Sequence, residues 1–305
     1  MKKVQVYLVN SFSYQLRGGN PAGVVLDFEN ALSDAQMQAI AKEVGFSETA
    51  FIRSTALADF ELKFFTPTDE VPLCGHATIA SFWLLNHLGY IAEGSYTQLT
   101  GAGELAVKID TSVPEVTIWM AQSTPDEITP RIEVSDDFIK AFPSIETDQQ
   151  QSLPIAIWST GLKDLFVPIC SRQALNRLSV NMKALAKLSK TYDVVGAHAF
   201  TIEEGKVYAR NFAPLYGIDE ESATGTSNGA LVAYLYQNLQ DKAPLLAKDL
   251  QLPVYYKMDV LQGEAMSNTS LIQTKLFEEP NLAVWVGGNC YLVGERVLIE
   301  AQKTE

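Results

Sequence analysis

Two short stretches of the chain hold side chains suited to moving a proton. The first is Cys74-Gly75-His76-Ala77-Thr78, which follows a proline-punctuated loop and opens an apolar run over residues 77–88. A run with no polar side predicts a helix buried all round. The start of such a helix presents unpaired backbone N–H groups and the positive end of the dipole. His76 lies in its first turn. An imidazole there can carry a proton, hydrogen-bond a substrate, or serve as a structural hydrogen-bonding group. The second stretch is Ser47-Glu48-Thr49-Ala50-Phe51-Ile52, where Glu48 begins an otherwise apolar strand. A carboxyl in that place is either a solvated strand end or a group held for use. If buried, its pKa rises toward the working pH, as a general acid–base requires.

The first stretch has a later counterpart. Thr224-Gly225-Thr226-Ser227-Asn228 opens a second apolar run that continues to residue 239. Backbone amides of Gly75, Gly225 and Thr226, with the Thr226 hydroxyl, form a possible cradle for a carboxylate. Helix capping and close packing would use the same residues. Glu221, just ahead of the second helix, is either a charge favoured by the macrodipole or the partner that positions His76 or a substrate amine. Thr224 stands where the first copy has Cys74, so a racemase with two facing thiols is ruled out, and Cys74 is expected to be an inert packed loop residue. Cys170 and Cys290 fall on apolar or strand-like stretches and read as core. His87 and His198 read as structural. Three scattered His and three scattered Cys do not make a metal site. There is no phosphate loop, dinucleotide fingerprint or nucleophile elbow.

The elements that must position these residues follow from periodicity. Residues 4–9 alternate as a strand, residues 18–23 form a tight glycine-rich turn, and residues 24–26 are a second strand. Ser33 with Gln36 predicts a capping box. The helix it opens carries Met37, Ile40, Ala41 and Val44 on one face, and Gly45 ends it. Phe60, Leu62 and Phe64 alternate with polar residues as a strand. The order then recurs roughly 150 residues later. Strands at 155–158 and 165–169 precede a helix at 182–187, and a strand at 207–212 leads into Ala213-Pro214 as Phe65 leads into Thr66-Pro67. This predicts a duplicated α/β unit. Residues 123–129 read as a crossing between domains and residues 133–151 as an exposed helix and loop. The tail reads as short strands. The expected domains are 1–120, completed by strands at about 283–305, and 125–280, with both helix N-termini on a shared cleft.

Composition narrows the partners. The chain has 305 residues, 47% apolar and 19% charged, enough for two domains with a core each. A net charge of −13 without a Lys/Arg block argues against nucleic acid and anionic membrane surfaces. A small anionic substrate stays compatible, because helix ends and loop amides act locally. The odd cysteine count suits a reducing compartment. The N-terminus has no signal-type apolar region and no apolar run reaches a membrane span. The expectation is a soluble cytoplasmic protein.

The ordered motifs carry a family resemblance. Gly19-Asn20-Pro21-Ala22-Gly23-Val24-Val25-Leu26, Met37-Gln38-Ala39-Ile40-Ala41, Ser47-Glu48-Thr49-Ala50-Phe51, Phe65-Thr66-Pro67, Glu70-Val71-Pro72-Leu73-Cys74-Gly75-His76-Ala77-Thr78, Arg210-Asn211-Phe212-Ala213-Pro214 and Glu220-Glu221-Ser222-Ala223-Thr224-Gly225-Thr226 together resemble the PhzF-like family, the phenazine-biosynthesis PhzF-type isomerases and their relatives. The resemblance implies a diaminopimelate-epimerase-like α/β (α+β) fold. Its two pseudo-symmetric lobes are each a curved, mostly antiparallel sheet or barrel around a buried central helix. It further implies cofactor-independent isomerisation, usually in a homodimer. The family glutamate corresponds to Glu48 and the family histidine to His76. Asn20, in the Gly-Asn-Pro motif, falls among the substrate-binding positions. The chain departs from the family run Glu-Asp-Pro-Ala-Thr-Gly-Ser at Glu221, Ser222 and Thr226. It also has Ser267-Asn268-Thr269-Ser270 where the family has Gly-Arg-Pro-Ser. The expected activity is therefore transfer of a proton between carbons of a small carboxylated metabolite. Glu48 is the acid–base, assisted by His76 and Glu221. A non-thiol epimerase of a hydroxy or amino acid, and a non-catalytic ligand-binding protein that keeps the cleft, are the alternatives.

Overall fold

The computed structural model describes residues 3–112, 115–145, 153–239, 247–249, 255–278 and 281–299. They divide into two compact units, one of residues up to Ala121 together with those from Gly287 on, the other from Gln122 to Val286. The class is mixed α/β. No described helix is long and apolar enough to cross a membrane.

The first unit contains β1 (Lys3–Ser11), β2 (Asn20–Asp27), α1 (Asp34–Val44), β3 (Glu48–Arg53), β4 (Phe60–Phe65), β5 (Glu70–Val71), α2 (Gly75–His87), β6 (Gly94–Thr100), β7 (Gly103–Asp110) and β8 (Thr117–Ala121). The second contains β9 (Asp126–Thr129), α3 (Asp136–Ala141), β10 (Ala156–Ser159), β11 (Lys163–Pro168), α4 (Arg172–Arg177), α5 (Met182–Tyr192), β12 (Gly196–Glu203), β13 (Lys206–Ala213), β14 (Ile218–Glu221), α6 (Gly225–Asn238), β15 (Ala247–Asp249), β16 (Tyr255–Gln262) and β17 (Ser270–Phe277). β18 (Ala283–Gly288) returns the chain to the first unit, which β19 (Cys290–Ile299) completes.

The pairings of the two units follow one scheme. β1 is antiparallel to β2, β2 parallel to β3, and β3 antiparallel to β4. β4 then pairs antiparallel with β5 and parallel with β6, and β6 is antiparallel to β7. In the second unit β10, β11, β12, β13, β14, β16 and β17 pair in the same order and the same senses. The parallel step needs a crossover. α1 supplies it between β2 and β3. Its cap is the one the sequence predicts: the Ser33 N–H donates to Gln36 Oε1 at 2.7 Å, and Gly45 closes the helix at φ 74. Its face of Met37, Ile40, Ala41 and Val44 joins Val6, Val25, Phe51 and Phe65 in one core cluster.

α2 and α6 are buried helices, as their unbroken apolar runs predict. Phe82, Leu84 and Leu85 are wholly buried. Each contributes about 1.5–3 kcal/mol by leaving water. The polar residues on α2 are satisfied internally: Ser81 Oγ donates to the Ala77 carbonyl at 2.7 Å and Thr78 Oγ1 to Gln98 Oε1 at 3.2 Å.

Several local expectations need correction. The glycine-rich stretch is a turn only at its start, because β2 begins at Asn20 and pairs with β1 through Asn20–Ser11 and Pro21–Asn10. Pro21 precedes the ladder to β3, which begins at Ala22–Glu48, so its missing N–H falls outside that pairing. Within 123–129, four residues form β9, paired with β10. The helix expected to be exposed after residue 133 is α3, and one side of it is core: Phe138, Ala141 and Phe142 are buried with Leu185 and Leu188. Residues 146–151 of that stretch, and 300–305 of the tail, lie outside the described residues.

Candidate active site

In the first unit, three elements converge on one imidazole. Glu48 heads β3, Asn20 heads β2, and His76 sits in the first turn of α2. His76 Nε2 lies 3.3 Å from Glu48 Oε2, with the two side chains 6% and 17% exposed. Asn20 Nδ2 lies 3.4 Å from His76 Nδ1. In the tautomer protonated at Nε2, Asn20 donates to Nδ1, while Nε2 faces the Glu48 carboxylate without closing a hydrogen bond to it. Ser11 Oγ donates to the His76 carbonyl at 2.6 Å and fixes the helix turn that bears it. Oε2 of Glu48 is buried and accepts no hydrogen bond among the described residues.

Cys74 is the N-cap residue of α2, in extended conformation at φ −141 and ψ 115, and it is buried. Its Sγ lies 3.4 Å from His76 Nδ1 and 3.9 Å from Nε2. It is therefore no isolated loop residue. It touches the histidine. Gly75 follows it, and a Cβ there would meet only Met120 Cε, at 3.5 Å. That is an ordinary contact, so packing does not demand glycine at this position.

The second unit carries a continuous polar chain beneath the start of α6. Ser227 Oγ donates to Asp164 Oδ2 at 2.6 Å, and Asn211 Nδ2 contacts both Ser227 Oγ and His198 Nδ1 at 3.1 Å. His198 Nε2 meets Asn228 Oδ1 at 3.2 Å, and Asn228 Nδ2 donates to Gln262 Oε1 at 2.8 Å. Gln262 Nε2 donates to the Glu221 carbonyl at 2.7 Å. The Glu221 carboxylate accepts from Thr224 Oγ1, also at 2.7 Å. Thr160 Oγ1 donates to the Thr226 carbonyl at 2.9 Å.

Strand register relates the two units residue by residue. In the first, Glu48 lies opposite Ala22 and Thr49 opposite Phe65. In the second, Gly196 lies opposite Asp164 and Ala197 opposite Phe212. Matching Phe65-Thr66-Pro67 to Phe212-Ala213-Pro214 puts Gly196 at the position of Glu48. A Cβ at Gly196 would lie 1.8 Å from the Phe212 carbonyl oxygen. No side chain fits there, and the carboxylate of this unit stands on the neighbouring strand, at Asp164.

Burial pushes the Asp164 carboxyl up to about 6 from its ordinary 3.8, and the Glu221 charge adds to the push; the Ser227 hydroxyl and the Gly196 N–H oppose it. Burial lowers His198 to about 4 from 6.5, against the Asn228 hydrogen bond. The two groups act on stability in opposite senses. Folded Asp164 takes up its proton below about 6, before the unfolded chain does, so its contribution to stability grows as pH falls from 6 toward 3.8. Unfolded His198 protonates near 6.5 while the folded imidazole stays neutral to about 4, so stability is lost as pH falls through that window. Asp164→Asn removes the first term. Denaturant unfolding of this variant should show stability falling more steeply than wild type between pH 6 and 4, by up to about 1.4 kcal/mol per pH unit. An unchanged slope would show that Asp164 does not titrate in this window.

A family model described as phenazine biosynthesis-like protein, PhzC-PhzF, matches residues 9–296. The chain belongs to the PhzC-PhzF family. An uncharacterized isomerase of Clostridium acetobutylicum is 33% identical over 310 residues, which cover 98% of this chain and 99% of that one. The crystal structure of a Bacillus anthracis phenazine biosynthesis protein of the PhzF family superposes with a TM-score of 0.86 at 26% identity, covering 98% and 100% of the two chains. A hydroxyproline epimerase from Agrobacterium vitis, solved with trans-4-OH-L-proline bound, has a TM-score of 0.62 at 12% identity, covering 98% and 91%, a likeness of fold alone.

Among the residues that the PhzC-PhzF motifs single out, Glu48, His76 and Asn20 come together, with Gly75 between Cys74 and His76. Glu221, Gly225 and Thr226 belong to the second unit, around the first turn of α6. Within the first unit His76 contacts Asn20 and Ser11, and within the second Glu221 holds Thr224. Cys74 and Thr224 are both N-cap residues, as the repeat requires. Cys290 is buried, and burial pushes its thiol up, as suits a core residue. Cys170 is half-buried rather than core. His87 stacks on Trp83 at 4.7 Å. Asp164 was missed, although it carries the same signal as Glu48: an acid at the head of the apolar strand Leu165-Phe166-Val167.

Proposed function

We propose that this chain, an isomerase of the PhzC-PhzF family, moves a proton between two carbons of a small carboxylated metabolite, with Glu48 removing and returning it. The observation that carries the reading is the Glu48 carboxylate. It stands at the head of an apolar strand, with one buried oxygen that accepts no hydrogen bond among the described residues, 3.3 Å from an imidazole. Leaving such an oxygen unpaired costs about 1–3 kcal/mol or more. A group kept in that state calls for an explanation, and a base awaiting a C–H proton supplies one. His76, held by Asn20, keeps the carboxylate aimed and can hydrogen-bond the substrate. The Gly75 amide at the N-terminus of α2 binds the substrate carboxylate. Glu221, Gly225 and Thr226 take supporting roles on the strength of the motif they occupy. The reaction needs no cofactor on this reading.

Gly75→Ala separates the binding role from packing. The added methyl meets only Met120 Cε at 3.5 Å, so thermal unfolding should match wild type. The methyl would nonetheless stand where the substrate carboxylate approaches the backbone, and KM should rise at least about tenfold, the equivalent of 1.4 kcal/mol. An unchanged KM would remove Gly75 from the binding site. The reaction class is tested by incubating the protein with a panel of carboxylated metabolites in deuterium oxide and following them by NMR. Isomerisation places deuterium on a new carbon as the double bond moves. Inversion at a single carbon would identify an epimerase instead, and binding without exchange a non-catalytic protein.

A further inference from the structure

A carboxylate oxygen of Glu48, Cys74 Sγ and a ring nitrogen of His76 offer three metal-ligand atoms within 4.8 Å of one another, all in the first unit. We propose that this triad is a site for a thiophilic divalent cation, Zn(II) in particular, which occupies it in place of substrate. Zinc bonds of about 2.3 Å to sulfur and 2.0–2.2 Å to nitrogen or oxygen give tetrahedral edges of about 3.3–3.6 Å. The Nε2–Oε2 separation of 3.3 Å matches such an edge, and the Sγ–Nε2 separation of 3.9 Å is about 0.3 Å longer than one. The donor set of thiolate, imidazole and carboxylate suits Zn(II) or Co(II) and not Mg(II) or Ca(II). Its two negative charges balance the cation, and the net charge of −13 favours the cation's approach. Asn20 lies 3.4 Å from the other ring nitrogen. With its amide turned over, its oxygen accepts an Nδ1–H and frees Nε2 for the metal, the outer support that metal-bound imidazoles have. Binding displaces the thiol proton to solvent and moves the imidazole proton from Nε2 to Nδ1. Glu48, 17% exposed, is the most exposed of the three ligands.

The site assignment stands on geometry, whereas its inhibitory consequence rests on the proposed role of Glu48. The test begins without substrate. Co(II) is titrated into the reduced protein and into Cys74→Ser, Cys170→Ser and Cys290→Ser. Wild type, Cys170→Ser and Cys290→Ser should show the near-ultraviolet thiolate-to-cobalt charge-transfer band, and Cys74→Ser should lose it. X-ray absorption of wild type loaded with Zn(II) alone should show one sulfur at about 2.3 Å with nitrogen or oxygen neighbours, and needs no variant to fold. The proposal is overturned if wild type gives no band, if Cys74→Ser keeps it, if Cys170→Ser or Cys290→Ser loses it, or if the zinc has no sulfur neighbour. Should proton exchange then be found, Zn(II) should suppress it and a chelator restore it. A band without any exchange activity would sink the isomerase reading and leave the metal site standing.

Discussion

Glu48→Gln is expected to lower kcat by about 10²- to 10⁴-fold, the span that a positioned acid–base contributes. Substrate affinity should stay near wild type, because the amide keeps the shape of the side chain and its contact with His76. What is lost is the electron pair that takes the proton. Glu48→Asp makes a useful companion. It keeps the carboxylate but withdraws it by one methylene, so it should also lose rate through misplacement rather than chemistry. Steady-state kinetics with a direct binding assay separates these effects. A Gln variant with wild-type kcat would remove Glu48 from the reaction.

The largest effect on stability is expected at Gly196. A methyl there would lie 1.8 Å from the Phe212 carbonyl oxygen, on the strand paired with it. A backbone atom in a ladder cannot step aside as a flexible side chain can, so β12 and β13 would have to part locally. Gly196→Ala should therefore cost about 3 kcal/mol or more, at the upper end of overpacking changes. Denaturant unfolding should show a lower midpoint with an unchanged slope. A midpoint equal to that of wild type would mean that the strands separate freely at this point. The same crowding bears on function. It forbids a side chain at the register position of Glu48 in the second unit, whose carboxylate, Asp164, stands on the neighbouring strand instead.

The features legible in the sequence were those written in local patterns. The Ser33–Gln36 cap, the apolar face of α1 and its Gly45 stop are contacts within one helix, and the structure has each of them. The unbroken apolar runs of α2 and α6 announced their burial. Glu48 by position alone reads as a solvated strand end, and it is the family motif Ser47-Glu48-Thr49-Ala50-Phe51 around it that singles it out. Other features depended on partners distant in sequence. Asn20-Pro21 reads as turn chemistry until β1 is laid beside it. Phe138, Ala141 and Phe142 have helical core spacing, but Asp136 and Asp137 beside them suggested an exposed helix; α5 decides the matter. The contact between Cys74 and His76 was hidden for a different reason. Cys74 is extended and precedes the helix, so helical spacing does not say where its thiol goes. Asp164 takes its significance from Ser227 and Gly196, partners distant in sequence that only the folded second unit brings to it.

The most direct measurement is proton NMR of wild type and Glu48→Gln side by side in deuterium oxide, with a carboxylated metabolite that wild type turns over. Wild type should place solvent deuterium on the carbon that receives the proton. Glu48→Gln should bind the same metabolite and incorporate none over the same time. Deuterium incorporation by Glu48→Gln at the wild-type rate would contradict the assignment of Glu48 as the proton carrier.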